Sequence, residues 1–392
     1  MLYRRRAENA GFKAGNLMDF LDRHAAGFDH ALVLDADSAM SAEAVARLVR
    51  AMQADPGMAI LQSAIAGRGA ETRFARLYGF GLRHGARVWT TGQAWWQGPE
   101  QLWWGHNALV RIAAFRRDAR LPLLPGGGPV LSHDYAEAAM LHAAGWAVRV
   151  WPEDAGSSER HPPDLPALFG RDLRWAAGNL QYRHLLRRPD FGRLGRLQML
   201  EAILHYALAP LRFAALPLAA LNAATGGGEG TPRSALLLLL LLGFVVLNLP
   251  KLAGYAEALL RPGRTPRAAL LRGMAGELAL GLLLEPLEAL ERALGLLRLA
   301  RGRFGGWAPQ PRAAREVTWT AAARRFGWHT AAGLAIAGGF GAAGGFALLA
   351  ALPALAGLLL AVPLAVLTAR PGARATAAAA VSRSEGLRPS AG

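Results

Sequence analysis

A nearly unbroken run of leucines between Ser234 and Pro250 sets the first limit on how this chain can fold, because it is about as long as a helix that crosses a bilayer. Other apolar stretches lie at 199–222 and 330–367, and the second is long enough for two spans joined near Gly344. Most of the acidic and aromatic residues lie before about residue 200. This division predicts a soluble domain followed by a helical membrane region.

The formal net charge of +16 makes nucleic acid a rival partner for this chain. The basic residues, however, border the apolar runs and do not form one stripe along a folded domain, which is typical of the connectors of membrane proteins. We therefore expect a lipid bilayer as a partner and no nucleic acid. The sequence contains no cysteine, so disulfides and Cys-ligated metals are excluded.

These patterns divide the chain into three regions. We expect a cytoplasmic domain at 1–195, a multi-pass transmembrane region at 196–370 and a disordered tail at 371–392. The Arg-rich connector 291–328 should be cytoplasmic by the positive-inside rule, so the apolar stretch before it cannot be a single span. Because that stretch, 268–290, also contains glutamates that would be costly in lipid, we expect an interfacial or re-entrant element there.

Two further features of the sequence support the same orientation. The glycine-rich stretch 226–230 carries almost no positive charge and would face the periplasm. Arg4 follows the first three residues with no apolar segment behind it, so no signal peptide is recognised and the first segment should stay in the cytoplasm.

The first region has the pattern of an α/β domain. An apolar run at 31–34 is followed by an acidic turn, an amphipathic helix at 43–52 and a second apolar run at 59–62. This order of strand, helix and strand is typical of a parallel α/β sheet, in which ligands collect at the carboxyl ends of the strands. The later pattern predicts a helix at 70–90, a loop at 121–130, a helix opening at 132–134, a strand at 148–151 and a helix at 165–186.

The acidic turn Asp35-Ala36-Asp37 is the sharpest single motif. Two carboxylates on alternate residues at a strand end can hold Mg²⁺ or Mn²⁺ against a diphosphate and neutralise the charge of a leaving group. The alternative is that Asp37 only caps the helix that follows.

Two other motifs could bind or activate a substrate. Lys13, followed by Gly15 just before a predicted helix, offers a cation and close backbone approach for a phosphate, unless the segment is an ordinary turn. Asp134 follows a glycine-rich loop and could accept a proton from a sugar hydroxyl as general base, or it could simply cap a helix.

The helix predicted at 165–186 carries the last motif. Its spacing puts Arg171, Arg174 and Trp175 on one side, so that guanidinium groups can meet phosphate while the indole meets a sugar ring. A solvated basic face is the alternative.

Together these residues resemble family 2 glycosyltransferases of the cellulose synthase kind, in which a KAGN element, a DxD pair, an acidic base motif and a QxxRW-like helix follow in this order. Within this kind, the chain more closely resembles the glucans biosynthesis glucosyltransferase H family, which makes the backbone of osmoregulated periplasmic glucans. The resemblance covers residues 1 to about 330 and is carried by KAGN (13–16), VLDADSAMS (33–41), WWGHNALVR (103–111), LSHDYAEAAM (131–140) and RDLRWAAGNLQY (171–182).

The resemblance implies a glycosyltransferase-A-like, Rossmann-like α/β domain that is incomplete at its N-terminus, followed by transmembrane helices. It also implies a multi-pass enzyme of the bacterial inner membrane that transfers glucose from UDP-glucose to a β-glucan acceptor with inversion, using Mg²⁺ or Mn²⁺. An acyl carrier protein is a further partner that it suggests.

The same resemblance implies a role for each motif residue. Asp35 and Asp37 would serve the metal and the donor, Lys13, Arg171 and Arg174 the diphosphate, and Asp134 would be the base. The acceptor would be bound by Gly105, His106, Asn107 and Trp175.

Two departures from the family pattern matter. Arg171 stands where the QxxRW motif has glutamine, which puts the contact of that position in doubt. The family also has strands, a uridine-binding aspartate and transmembrane helices before KAGN, so we expect this chain to be N-terminally truncated and its activity alone is in doubt. The alternatives are another processive synthase, of the cellulose or hyaluronan type, and an inactive fragment of a split gene.

Overall fold

The computed structural model describes residues 3–69, 71–153, 156–227, 230, 232–261, 265–303, 306 and 314–372. These described residues form seven strands, all in the first half of the chain: β1 His30–Val33, β2 Ala39–Met40, β3 Met58–Ser63, β4 Ala66–Arg68, β5 Ala108–Arg111, β6 Ala147–Trp151 and β7 Ser157–Arg160.

The main sheet has the order β1-β5-β3-β6. Strand β3 is buried along its whole length, which explains its continuous apolar sequence. Strands β3 and β6 are parallel, but β5 lies between β1 and β3 and is antiparallel to both. The expectation of a parallel sheet is therefore wrong for β5, which makes the sheet mixed. Strands β1 and β3 run in the same direction, as expected for strands joined through a helix, but β5 lies between them.

A second sheet of three short strands, ordered β2-β7-β4, lies next to the acidic turn. Its middle strand β7 is antiparallel to β2 and parallel to β4. None of these strands was expected, because two to four residues are too few to show a period-2 pattern.

Seven helices accompany the sheets: α1 Phe12–His24, α2 Ala42–Ala54, α3 Arg73–Gln97, α4 Ile112–Asp118, α5 Asp134–Ala143, α6 Leu165–Asn179 and α7 Arg193–Ala207. Side chains of Ser41, Thr72 and Asp164 accept hydrogen bonds from the first turns of α2, α3 and α6, which fixes where these helices begin. The predicted helices at 43–52 and 132–134 are confirmed, as is the loop at 121–130.

Two of the predicted boundaries need correction. The helix expected at 70–90 continues to Gln97, and the helix expected at 165–186 ends at Asn179 and is followed by a short 3-10 helix, Leu180–His184. The change of winding lets Gln181 reach back to the preceding loop, where its side-chain oxygen accepts from the Leu131 amide at 2.8 Å.

The remaining helices form a C-terminal bundle: α8 Ala209–Ala224, α9 Arg233–Leu260, α10 Arg267–Ala300, α11 Trp319–Ala342, α12 Gly345–Leu359 and α13 Ala361–Ala369. Among the described residues, only α9 is by itself long and apolar enough to cross a membrane. The pairs α7/α8 and α12/α13 also qualify if each bent pair is one span, with bends of 40° and 55°. The expected break near Gly344 is confirmed, since α11 and α12 are separated there.

Helix α10 differs most from the expected element at 268–290. It is one continuous helix that runs on to Ala300, into the predicted connector 291–328. Its buried Glu277 is paired with Lys251 of α9 at 2.7 Å, so this carboxylate has a partner inside the bundle. An interfacial location of 268–290 stays a prediction.

The end of the described chain returns to the first domain. Pro371 forms a β-bridge with Thr72, and the Gly372 amide donates to the Glu71 carbonyl at 2.9 Å. The rest of the tail predicted at 371–392 lies outside the described residues.

Candidate functional site

The acidic turn lies directly beyond the carboxyl end of β1. It is closed by a hydrogen bond of 2.9 Å from the Ser38 amide to the Asp35 carbonyl. Helix α2 is capped by Ser41 and not by Asp37, so the alternative reading of Asp37 as a helix cap is wrong. The carbonyl of Asp37 accepts from the Arg68 guanidinium at 3.1 Å, which ties the turn to β4.

Lys13 forms an ion pair with Asp35. The KAGN segment lies in the first turn of α1 and not just before the helix, which corrects the expected placement of Lys13. Burial alone would raise the pKa of the Asp35 carboxyl, but Lys13, His106 and His133 outweigh it and hold that pKa below its ordinary value. Asp35 is therefore ionised at neutral pH and surrounded by positive or protonatable groups.

Glu159 of β7 is a third carboxylate near the turn, which the sequence did not reveal. Its carboxylate lies 3.5 Å from the His106 ring. Burial raises the pKa of Glu159, His106 and Arg171 oppose this, and the negative charges of Asp37 and Asp35 raise it further. Glu159 therefore feels the negative charge of both aspartates of the acidic turn.

The Gly-His-Asn segment before β5 has an unusual backbone. Gly105 and Asn107 both have positive φ, of 84° and 49°, a conformation that Gly and Asn adopt more readily than other residues. Asn107 is fully buried and donates to the Ser157 hydroxyl at 2.8 Å, while its side-chain oxygen lies 3.0 Å from the His106 ring nitrogen Nδ1. Asn107 therefore orients the His106 ring and has no exposed surface with which to contact an acceptor.

Asp134 is the first residue of α5 and is not its N-cap, which is His133. The Tyr182 hydroxyl donates to the Asp134 carboxylate at 3.4 Å. Gly105 packs against Asp134, since a Cβ added to that glycine would lie 3.6 Å from the Asp134 Cβ. The acidic base candidate and the Gly-His-Asn segment therefore share one wall of the site.

The residue before Asp134, His133, forms a buried pair with Glu137. The His133 Nδ1 atom lies 2.7 Å from a Glu137 carboxylate oxygen, and Glu137 is 1% exposed. Burial would lower the pKa of His133, but the Glu137 carboxylate outweighs burial and raises it. The protonated imidazole would place a positive charge beside Asp134 and Asp35.

Arg171 and Trp175 are stacked on α6. The Arg171 guanidinium carbon lies 4.4 Å from the Trp175 ring centroid, and the same guanidinium donates to the Tyr78 hydroxyl at 2.9 Å. Burial, and then Arg171, lower the pKa of Arg174. Trp175 is 46% exposed, so it is no core residue.

Trp175 faces a cleft of about 420 Å³ between α3, α6 and α7. Its walls combine aromatic rings with amides, the residue types that stack on sugar rings and hydrogen-bond their hydroxyls. The aromatic residues are Trp89, Trp104, Tyr135, Trp175 and Tyr206, and the amides are Gln62, Gln93, Gln97, Gln101, Asn179 and Gln198.

The donor set at the acidic turn fits a hard divalent cation. The described residues hold no group of three His, Cys, Asp or Glu side chains arranged around a common metal position. Mg²⁺ commonly binds through one or two carboxylates together with substrate phosphates, so Asp35 and Asp37 are the candidate protein ligands.

The structure thus brings most of the predicted residues into one region. Lys13, His106 and His133 lower the pKa of Asp35, and His106 and Arg171 oppose the rise that burial causes in the pKa of Glu159, so residues from separate segments of the chain meet here. No role was predicted for Glu159, for the pair His133–Glu137 or for the amides of α3. The chemistry of each depends on burial and on contacts that form only in the folded chain.

Comparisons with a family model and with curated proteins both identify glycosyltransferases. The model of the glycosyl transferase family group 2 matches residues 30–249. A curated relative from Caulobacter vibrioides (strain NA1000 / CB15N), named glucans biosynthesis glucosyltransferase H, is 36% identical over 394 residues, which cover 94% of this chain and 59% of the relative. Relatives of the same name from Xanthomonas euvesicatoria pv. vesicatoria and Xylella fastidiosa are each 34% identical, with 94% of this chain and 61% of the relative covered. The chain therefore spans about three fifths of the length of these relatives.

Proposed function

Because the chain belongs to glycosyl transferase family group 2, we propose that it carries the catalytic region and part of the membrane region of an inverting glucosyltransferase. This enzyme transfers glucose from UDP-glucose to the growing β-glucan backbone of osmoregulated periplasmic glucans. The relatives named glucans biosynthesis glucosyltransferase H support this substrate class.

The observation that carries the proposal is the arrangement around the carboxyl end of β1. The pair Lys13–Asp35 and the carboxylate of Asp37 form a polar end for a diphosphate, while Asp134 adjoins the same Gly-His-Asn wall. Trp175 opens on a cleft lined with aromatic rings and amides, which suits a sugar chain. Donor and acceptor would therefore meet between Asp35 and Asp134.

Each residue of the site would have a separate role in the reaction. Lys13, Arg171 and Arg174 bind the diphosphate, and Asp134 removes the proton from the acceptor hydroxyl. The acceptor oxygen then forms a bond to the anomeric carbon as the bond to the diphosphate breaks, and UDP leaves with the electron pair. One displacement from the opposite face inverts the anomeric centre.

Asp37 and Asp35 would hold the Mg²⁺ or Mn²⁺ ion. When bound, this ion offsets negative charge on the leaving diphosphate. Gly105 and His106 would border the acceptor beside Asp134. Asn107, which is buried, would act through His106.

We further propose a multi-pass protein of the bacterial inner membrane with its catalytic domain in the cytoplasm. The apolar helix α9 supports at least one span. The Arg-rich connector 291–328 and the poorly charged loop 226–230 support the orientation. The acyl carrier protein suggested by the family resemblance stays a prediction, which binding to the purified protein can test.

Incorporation of labelled glucose tests the proposal. Membranes from cells that express the protein should convert UDP-[¹⁴C]glucose into a polymer that β-glucanase digests, in a reaction that requires Mg²⁺ or Mn²⁺. UDP-N-acetylglucosamine should give no polymer. Equal incorporation from that donor would favour a hyaluronan-type synthase, and UDP binding without any polymer would favour an inactive fragment.

A further inference from the structure

Helix α6 is attached to the C-terminal bundle through one acidic side chain. Asp172 lies between Arg171 and Trp175 in sequence, but its carboxylate meets a residue 120 positions later on α10. The Arg292 Nε donates to one oxygen of Asp172 at 2.7 Å, and Arg292 Nη2 lies 3.4 Å from the other oxygen. The side chains of Asp172 and Arg292 are only 13% and 11% exposed.

The third member of this set belongs to the cleft. The Tyr206 hydroxyl of α7 donates to Asp172 at 3.3 Å, and the Arg292 guanidinium lies 5.7 Å from the Tyr206 ring centroid. Tyr206 and Trp175 both line the cleft, on α7 and α6 respectively. Asp172 and Arg292 therefore join the two walls between which a sugar chain would lie.

Two neighbouring contacts fix the position of Arg292 itself. Glu288, one turn earlier on α10, accepts from Arg292 at 3.0 Å. Near the same level α10 approaches α6 closely, since a Cβ added to Gly295 would lie 3.1 Å from Leu173. A two-pronged guanidinium contact of this kind depends on the planar fork of arginine, which lysine cannot reproduce.

We propose that Arg292 is a positioning residue for the acceptor. By holding Asp172 and Tyr206 together, it sets the distance between the Trp175 and Tyr206 walls of the cleft. This inference rests on the proposed function, because it takes the cleft to be the β-glucan site. It assigns to helix α10 control over how the glucan lies in the cleft.

Direct binding tests the inference without relying on turnover. Isothermal titration of the detergent-solubilised protein with β-1,2-, β-1,3- and β-1,4-linked glucotetraoses should identify at least one that binds. Arg292→Lys should weaken that binding by roughly tenfold, the effect of losing about one charge-assisted hydrogen bond. The affinity for UDP should change by less than about twofold, since Arg292 contacts Asp172, Glu288 and Tyr206, which are not assigned to the diphosphate.

Two further variants separate positioning from general packing. Tyr206→Phe keeps the ring and removes only the hydroxyl, so it should also weaken oligosaccharide binding, and it should add little in the Arg292→Lys background. Arg325→Lys is the matched control, because Arg325 makes an ion pair of 2.8 Å with Glu291 between α10 and α11 and does not line the cleft. It should change neither affinity.

Other results of these binding measurements would contradict either the positioning role of Arg292 or the glucan cleft itself. Wild-type affinity for the oligosaccharide in both Arg292→Lys and Tyr206→Phe would overturn the positioning role while leaving the proposed function intact. Parallel loss of UDP and oligosaccharide binding in Arg292→Lys would show a packing role only and would also overturn it. If the wild-type protein binds UDP but none of the oligosaccharides, the glucan cleft itself is refuted, and the inference fails with it.

Discussion

Truncation of Trp175 to alanine separates a role in acceptor binding from a role in folding. The side chain is 46% exposed, so about half of its surface is already in water. A buried tryptophan covers about 200 Å², so truncation here should expose roughly 100 Å² more apolar surface and cost at most about 2.5 kcal/mol of stability. Loss of the contact between the indole and the Arg171 guanidinium would lower the stability further, by about 0.5 to 1 kcal/mol.

The effect on turnover should be much larger than this loss of stability suggests. If the indole holds the acceptor ring, its removal misplaces the acceptor hydroxyl relative to Asp134, and a displacement of about 1 Å can lower the rate roughly a hundredfold. The affinity for UDP should be largely preserved, because Trp175 itself is assigned to the acceptor and not to the diphosphate. Arg171 loses its stacking partner but keeps its hydrogen bond to the Tyr78 hydroxyl. Turnover, UDP affinity and thermal stability should be measured on the same purified preparation.

Trp146→Ala provides the matched control. Trp146 also has an arginine over its ring, with the Arg117 guanidinium carbon 5.7 Å from the centroid, and its indole N–H donates to Asp118 at 2.7 Å. It does not line the cleft. We expect Trp146→Ala to lower the melting temperature at least as much as Trp175→Ala and to leave the turnover of the folded fraction unchanged. Equal loss of turnover in both variants, or loss of UDP binding by Trp175→Ala, would refute the acceptor role.

Three other predictions concern charge, packing and topology. Because the pKa of Asp35 is lowered, its ionisation stabilises the fold above the ordinary pKa of about 4, and this stability is lost as the pH falls through the lowered value. Lys13→Met should raise the pKa of Asp35 and so move acid unfolding to higher pH, which circular dichroism can follow. An unchanged acid transition would contradict the ion pair. A Cβ on Gly178 would lie 2.7 Å from a backbone nitrogen of the loop before Asp134, so Gly178→Ala should reduce kcat, whereas wild-type kcat would show that this loop position is not critical. Single cysteines at Gly226 and Arg303 in this Cys-free chain should react with an impermeant thiol reagent from outside only at Gly226; outside labelling at Arg303 would rule out the proposed orientation.

Strand β1 and its acidic turn could be predicted from local sequence. An apolar run followed by two carboxylates identifies a strand end without knowledge of distant residues. The position of β5 between β1 and β3 could not be predicted, since pairing order depends on contacts between residues about 50 to 80 positions apart. The antiparallel strand was therefore missed although the WWGHNALVR segment that contains it was recognised.

The site shows the same limit. Residues in continuous motifs, such as Asp35, Asp134 and Trp175, could be singled out because neighbouring residues complete the pattern. Glu159 and Arg292 could not, because each is one charged residue whose partners, His106 and Asp172, lie far along the chain. The length of α10 was underestimated for a related reason: its glutamates look unfavourable in lipid until their basic partners on other helices are known.

The measurement that tests the central proposal most directly is glucose transfer by Asp134→Asn. Asparagine preserves the size of the side chain but cannot accept the proton of the acceptor hydroxyl. We expect this variant to bind UDP with wild-type affinity and to retain wild-type thermal stability, while incorporation of glucose from UDP-[¹⁴C]glucose into β-glucan is lost. Incorporation at the wild-type rate by Asp134→Asn would contradict the assignment of this site as the place where the glycosidic bond is formed.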